Sequence, residues 1–147
     1  MSSEVDTKLV VPALAPVYRG LGQFTNPFLR IVCALILVPD GWTKLTNPQF
    51  AADVTGLIAK LGFLDPMAWF WFIALLEFAG GIALALGFLT RLLGAMLTIE
   101  MLVIAFGLHW PAGRSISFDI LLAAVAFALT LRGGGRWSLD RLIGRVF

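Results

Sequence analysis

The chain has 147 residues and a net charge of +2; 59% of its residues are hydrophobic and 14% are charged. Soluble globular domains carry about 25% charged residues, and a soluble fold of this length leaves too much surface wet to hide so much apolar side chain. The composition therefore excludes a soluble domain and predicts one integral membrane domain. Because the cations lie between apolar runs, in the pattern that sets membrane topology, we expect no nucleic-acid partner.

Four apolar runs approach the roughly 20 residues that a spanning helix needs. They predict transmembrane helices at 28–45, 66–88, 91–110 and 116–131. Asn26 and Asp65 are placed to cap the first two helices, and each is followed by a proline. Short connections on both sides of the third helix favour antiparallel hairpins. The sequence thus predicts an all-α integral membrane four-helix bundle, up-down-up-down, at 27–132.

Two amphipathic pieces flank or interrupt the predicted spans. Apolar residues recur at helical spacing at about 48–62 and 138–146, opposite polar or charged residues. This pattern predicts short interfacial helices that lie on the membrane surface. The chain then divides into an N-terminal cytoplasmic or interfacial segment (1–26), the four-helix transmembrane domain (27–132) and a C-terminal amphipathic tail (133–147).

The distribution of lysine and arginine predicts the orientation of the bundle. One side of the predicted bundle has only Lys60 and Arg114, whereas the other side carries Lys8, Arg19, Arg91, Arg132, Arg136, Arg141 and Arg145. Because cytoplasmic loops carry the excess of positive charge, we expect both termini in the cytoplasm.

Two glutamates lie in the middle of predicted spans, where an ionisable residue costs at least about 2.5–3.5 kcal/mol to insert. Glu77 precedes the turn near Leu89 by twelve residues, and Glu100 follows it by eleven. Both should therefore lie at one depth, near the bilayer centre. If they are close, at least one carboxyl holds a proton or pairs with a cation. The spacing leaves open whether the two face each other.

A second polar layer is predicted near the outer ends of the helices. Asp40 and Lys44 share one face of the first helix, while His109 and Asp119 lie at equal distances from the last predicted turn. This layer is compatible with solvated charges in an aromatic belt and with a polar pocket that opens outward.

Arg30 lies near the inner end of the first helix, within reach either of Glu77 or of the inner phosphates. A single histidine cannot provide a bis-histidine haem site or a histidine-rich metal site, and a single cysteine cannot form a CxxC pair. We therefore expect no metal and no cofactor of the chain's own. Any redox electrons would be carried by a partner or by a bound quinone.

Four pieces of the sequence, in order, resemble the DoxX family of small bacterial and archaeal membrane proteins. They are Arg30 with 41–45 (GWTKL), 77–81 (EFAGG) with 86–91 (LGFLTR), the helix end at His109, and 133–140 (GGGRWSLD). The resemblance covers about residues 27–143. It implies a multi-pass protein of the bacterial cell (inner) membrane and membership of redox-associated assemblies; the founding member is a subunit of an archaeal thiosulfate:quinone oxidoreductase. It marks Arg30, Lys44, Glu77 and Arg91 as the positions to test first.

Three functions are compatible with these features. The first is a membrane subunit of a quinone-linked oxidoreductase assembly, in which polar groups contact a lipid-soluble ligand or a partner subunit. The second is a non-enzymatic anchoring or assembly subunit, and the third is a small proton-coupled transporter. The expected partners are membrane lipids and either other subunits or a second copy of the chain; catalysis by the chain alone is not expected. The candidate polar site comprises Arg30, Asp40, Lys44, Glu77, Arg91, Glu100, His109 and Asp119.

Overall fold

The computed structural model describes residues 14–144, and within that range the chain is helical and contains no strand. The helices there are α1 (Ala15–Gly22), α2 (Thr25–Thr46), α3 (Pro48–Lys60), α4 (Pro66–Leu86), α5 (Thr90–His109), α6 (Ser117–Arg132) and α7 (Leu139–Ile143). The prediction of an all-α membrane fold is confirmed. Residues 1–13 of the predicted N-terminal segment and 145–147 of the predicted tail lie outside the described residues.

Two of these helices are long and apolar enough to cross a membrane: α4, with 21 residues, and α5, with 20. Helices α1 and α2 meet at a 44° bend and count together as a third candidate span. Helix α6 has 16 residues, which rise only about 24 Å, short of the roughly 30 Å hydrocarbon core. The up-down-up-down arrangement of four spans stays a prediction.

Local side chains explain where several helices begin. The Asp65 carboxylate accepts a hydrogen bond of 3.2 Å from the Ala68 N–H, so the predicted cap of α4 is confirmed. The predicted cap at Asn26 is wrong. The chain is already helical before this residue, so no free helix start remains there; α2 begins at Thr25, and the Asn26 amide donates a 2.7 Å hydrogen bond to the Gly133 carbonyl.

Helices α4 and α5 each contain a π-helical segment, at Leu76–Gly80 and Ile104–His109. A π-helical turn changes the direction in which the following side chains point, and such turns recur at functional sites. Glu77 lies within the first segment and His109 ends the second. Neither segment contains a proline, and helical periodicity alone does not distinguish a π-helical turn from an α-helical one.

Helix α3 occupies the connection between α2 and α4. Its bounds agree with the interfacial helix predicted at about 48–62. The apolar face of α3, however, turns partly toward the bundle: Ile58 is buried and packs against Phe70 and Ala74 of α4. Because this face is covered by α4 along only part of its length, the rest of it forms a wall of the cavity described below.

Candidate functional site

A buried ion pair joins α2 to α4. The Lys44 ammonium contacts the Glu77 carboxylate, and their side chains are only 11% and 3% exposed. The two helices approach closely here because Gly41 lies against Phe78; a Cβ atom on Gly41 would stand 2.9 Å from the Phe78 Cα atom. The prediction that placed Lys44 with the outer polar layer is therefore wrong, since its long side chain reaches the glutamate layer instead.

Glu100 of α5 completes the cluster. Its side chain is buried beside the Glu77 carboxyl, and the two carboxyls can share a hydrogen bond when one of them holds a proton. Glu77 and Lys44 both act on it electrostatically. The two glutamates that the helical rise placed at one depth therefore share one neighbourhood, and a single ammonium serves two carboxyl groups. Charge balance requires that one carboxyl hold a proton or meet a further partner.

A cavity of about 420 Å³ adjoins the Lys44–Glu77–Glu100 cluster. Helices α3, α4 and α5 supply most of its walls, and Lys44 and Glu100 are its ionisable lining residues; the other lining residues are apolar or aromatic. Its volume lies in the range of small-molecule pockets, about 300–1,000 Å³. An apolar chamber with two ionisable lining residues suits a ligand that is apolar over most of its surface and carries a small polar group.

The cavity is open to the outer surface of the bundle where α3, α4 and α5 border it. Seven of its lining residues are also substantially exposed, by 36–63%: Phe50, Leu57, Phe63, Trp69, Phe72, Ile99 and Val103. In a spanning helix, such apolar exposed side chains contact lipid tails. The rim of the opening is therefore suited to contact with lipid.

The remaining residues of the predicted outer layer do not join this cluster. His109 Nδ1 and Asp119 Oδ2 lie 2.6 Å apart and connect the ends of α5 and α6, with Asp119 buried and His109 partly exposed. Asp40 is exposed, although it acts electrostatically on Glu77. The residues predicted as one outer layer thus separate, because Lys44 pairs with Glu77 and His109 pairs with Asp119.

Arg30 lies at the opposite end of the bundle, where the C-terminal tail folds back. Its side chain is buried, and its Nη2 atom donates a 2.5 Å hydrogen bond to the Trp137 carbonyl. Asp140 is close enough to act on it electrostatically. Both predicted arrangements of Arg30, an ion pair with Glu77 and extension to the phosphates, are wrong because the tail provides nearer partners.

Asp140 is the important residue that the sequence analysis missed. Its carboxylate accepts hydrogen bonds from the N–H groups of Leu89 (2.8 Å) and Thr90 (3.0 Å), at the start of α5. A carboxylate at a helix start satisfies free N–H groups and interacts favourably with the helix dipole. The sequence does single out Asp140 in one respect, because it is the one acidic residue in the arginine-rich tail 133–147.

Gly87 packs directly against Arg30 and the C-terminal tail. Its φ is +73°, and a Cβ atom there would collide with the Arg30 guanidinium and with Ser138. Arg30, the 86–91 piece and the 133–140 piece, which carried much of the family resemblance, therefore meet in one structural contact. Arg91 is exposed beside Gly133 and lies on the rim of that contact.

The model of the DoxX family matches residues 27–110, from the start of α2 to the end of α5. The chain belongs to the DoxX family. Lys44, Glu77 and Glu100 all lie in the matched region, whereas Asp140 lies beyond it. The protein is thus a DoxX-family membrane protein whose matched region contains the whole buried charge cluster.

Two curated proteins are similar to this DoxX-family chain. "Inner membrane protein YqjF" of Escherichia coli (strain K12) is 26% identical over 121 residues, which cover 79% of this chain and 89% of that protein. "Putative oxidoreductase CatD" of Bacillus subtilis (strain 168) is 25% identical over 117 residues, covering 78% and 84%. No solved structure matches the chain significantly.

Proposed function

We propose that this protein is a membrane subunit of a redox assembly and that its cavity binds a quinone. The observation that carries the proposal is the cavity itself, which has apolar walls and carries Lys44 and Glu100 as its ionisable lining residues. A quinone combines an apolar ring and tail with carbonyl oxygens that accept hydrogen bonds. The walls match the ring and tail, and the charge cluster matches the carbonyl head.

The family and its members support the same assignment. The DoxX resemblance implies redox-associated membrane assemblies, and the B. subtilis relative is named as an oxidoreductase, although only as a putative one. The E. coli relative is named an inner membrane protein, and we propose that membrane for this chain as well. The apolar rim of the cavity opening supports delivery of the ligand from the lipid phase.

A bound quinone would supply the two-electron, two-proton chemistry. The residues of the chain would hold the ring in an apolar chamber, exclude water from its head and keep a proton at the glutamate pair. A redox partner subunit would exchange the electrons. The protein would therefore act as the quinone-binding membrane part of a larger enzyme.

The proposal is tested by extracting the protein from native membranes in a mild detergent and measuring bound quinone by mass spectrometry. Leu57→Trp adds bulk to the cavity wall, and Leu64→Trp is the matched control because Leu64 is 90% exposed and does not line the cavity. Quinone should accompany the wild type and the control but not Leu57→Trp. Ligand-free wild-type protein with no redox partner would overturn the proposal.

The same preparation separates the alternative functions. If Glu77→Gln abolishes quinone-linked turnover while the complex stays intact, the charge cluster has a chemical role. If Glu77→Gln causes the complex to dissociate, the protein is an anchoring subunit. Proton-driven uptake of a cation by liposomes that contain only this chain would instead indicate a transporter.

A further inference from the structure

We propose that one end of the bundle binds an anionic phospholipid, whose phosphate lies against arginines at the start of α5 and the end of α6. The proposal does not depend on the ligand of the cavity, which lies further along α5. Four exposed arginines form this surface, called here the arginine surface: Arg91, Arg132, Arg136 and Arg141. They come from α5, α6 and the C-terminal tail, which fold together at this end.

No exposed carboxylate balances the arginine surface within residues 14–144. The one acidic residue of that range at this end is Asp140, which is buried and accepts hydrogen bonds from N–H groups at the start of α5. The ion pairs of the described chain, Lys44–Glu77 and His109–Asp119, lie elsewhere. The arginine surface is therefore a concentration of positive charge that is open to an external anion.

The opposite end of the bundle has a mixed charge. Its exposed cations are Lys60 and Arg114, and its exposed acids are Asp40, Asp53 and Asp65. The arginine surface, in contrast, presents charges of one sign. Clusters of lysine and arginine beside a membrane helix attract anionic lipid headgroups. Charge complementarity therefore favours an anionic lipid at the arginine surface and not at the opposite end.

Close packing of α5 on α6 brings two of these arginines to adjoining helix ends. A Cβ atom on Gly94 would stand 2.8 Å from the Ala126 carbonyl oxygen, so the two helices are in direct contact near these ends. The Arg91 side chain lies against Gly133, the residue after Arg132: its Nε atom is 3.0 Å from the position of a Cβ atom on Gly133. A phosphate here can contact cations from both helices, and guanidinium groups bind phosphate with charge-assisted hydrogen bonds.

The depth of the arginine surface and its apolar neighbours favour a lipid over a soluble anion. Arg91 is the second residue of a candidate span, Thr90–His109, so its guanidinium can extend to the level of the phosphates. The tail exposes Trp137 by 63%, Leu142 by 82% and Ile143 by 54%. Tryptophan is enriched where a membrane meets water, and such apolar side chains contact acyl chains. A phospholipid with a net negative charge matches both the cations and these neighbours.

The test compares two lipids that share their acyl chains and phosphate but differ in net charge. Palmitoyl-oleoyl phosphatidylglycerol is anionic, and palmitoyl-oleoyl phosphatidylcholine is zwitterionic. Each is titrated into the purified full chain in a neutral detergent, and native mass spectrometry measures the fraction of protein that retains lipid. The variant Arg91→Gln/Arg132→Gln removes two charges from the arginine surface. Lys60→Gln/Arg114→Gln is the matched control, because it removes the same charge from the opposite end.

We expect the wild type to bind phosphatidylglycerol more tightly than phosphatidylcholine. Each arginine near an anionic headgroup contributes about fivefold, so Arg91→Gln/Arg132→Gln should bind phosphatidylglycerol about thirtyfold more weakly. The control and the charge-conserving Arg91→Lys/Arg132→Lys should both stay within about threefold of the wild type. Should Arg91→Gln/Arg132→Gln not fold, Arg136→Gln/Arg141→Gln removes two other charges of the arginine surface and should also weaken phosphatidylglycerol binding alone.

Several results would contradict the proposal. Equal affinity of the wild type for the two lipids would show that net charge is not recognised. Equal weakening in the variant and in the opposite-end control, or no weakening in either arginine-to-glutamine variant, would show that no site lies at the arginine surface. Displacement of the lipid by inorganic phosphate, beyond that by sodium chloride of equal ionic strength, would indicate a site for a free anion. Displacement by polyglutamate would indicate an acidic protein partner instead.

Discussion

Lys44 of α2 and Glu77 of α4 form a buried ion pair that spans 33 residues of sequence. The pair lies where Gly41 lets the two helices approach each other, and Glu100 of α5 lies beside it. The pair thus holds two helices together, and its lysine lines the cavity. Its removal should affect stability and ligand binding differently.

Replacing Lys44 with methionine should destabilise the protein by about 3–5 kcal/mol, because it leaves two buried carboxyls without a cation. The double variant Lys44→Met with Glu77→Gln should regain most of this stability, since it removes both charges of the pair. The free energy of unfolding is measured by titration with a denaturing detergent. A double variant as unstable as Lys44→Met alone would show that the loss comes from packing and not from charge.

Replacing Asp140 with alanine should destabilise the protein by about 2–4 kcal/mol. The change removes the acceptor of two N–H groups at the start of α5 and leaves Arg30 buried without its nearby carboxylate. Asp140→Asn keeps one acceptor oxygen and should lose roughly half as much. Denaturing-detergent titration of both variants checks the order, and an alanine variant as stable as the wild type would refute the contact.

Replacing Gly87 with alanine should cost at least about 2 kcal/mol, because alanine is strained at a φ of +73° and its methyl would displace the Arg30 side chain. Gly56→Ala in α3 is the matched control. A Cβ atom there meets nothing within 4 Å, so alanine should leave stability unchanged or raise it by about 0.5–1 kcal/mol. Equal effects at both positions would contradict the tight contact at Gly87.

Cys33 should resist a maleimide reagent in the folded protein and react on heating. It is the only cysteine of the chain and its exposed fraction is 0%, so labelling reports unfolding without an engineered probe. The midpoint temperature of labelling should fall for Lys44→Met, Asp140→Ala and Gly87→Ala but not for Gly56→Ala. Rapid labelling of native protein would show that the core around α2 opens easily.

The predicted orientation has its own test. A green fluorescent protein fused to the C-terminus should fluoresce and an alkaline phosphatase fused there should be inactive, because the excess of lysine and arginine places both termini in the cytoplasm. Fusion after Arg114 should reverse both readouts. An active phosphatase at the C-terminus would mean that the tail lies on the other side.

The short-range features of this protein were predictable from its sequence. The helical fold, the bounds of α3 and the cap at Asp65 depend on hydropathy and on hydrogen bonds between residues a few positions apart. The common neighbourhood of Glu77 and Glu100 also agrees with counting residues from one turn, because the helical rise is constant. These features needed no knowledge of how the helices pack.

The pairing of charges was decided by the tertiary structure alone. Lys44 shares a helix face with Asp40 but pairs across to α4, and Arg30 was expected at Glu77 or at the inner phosphates but bonds to a tail residue 107 positions away. Long side chains have several partners within reach, and the choice depends on helix approach, on two π-helical segments and on the folding back of the tail. By itself the sequence determined that the chain is a helical membrane protein; only the packing decided that Lys44 pairs with Glu77 and that Arg30 bonds to the tail.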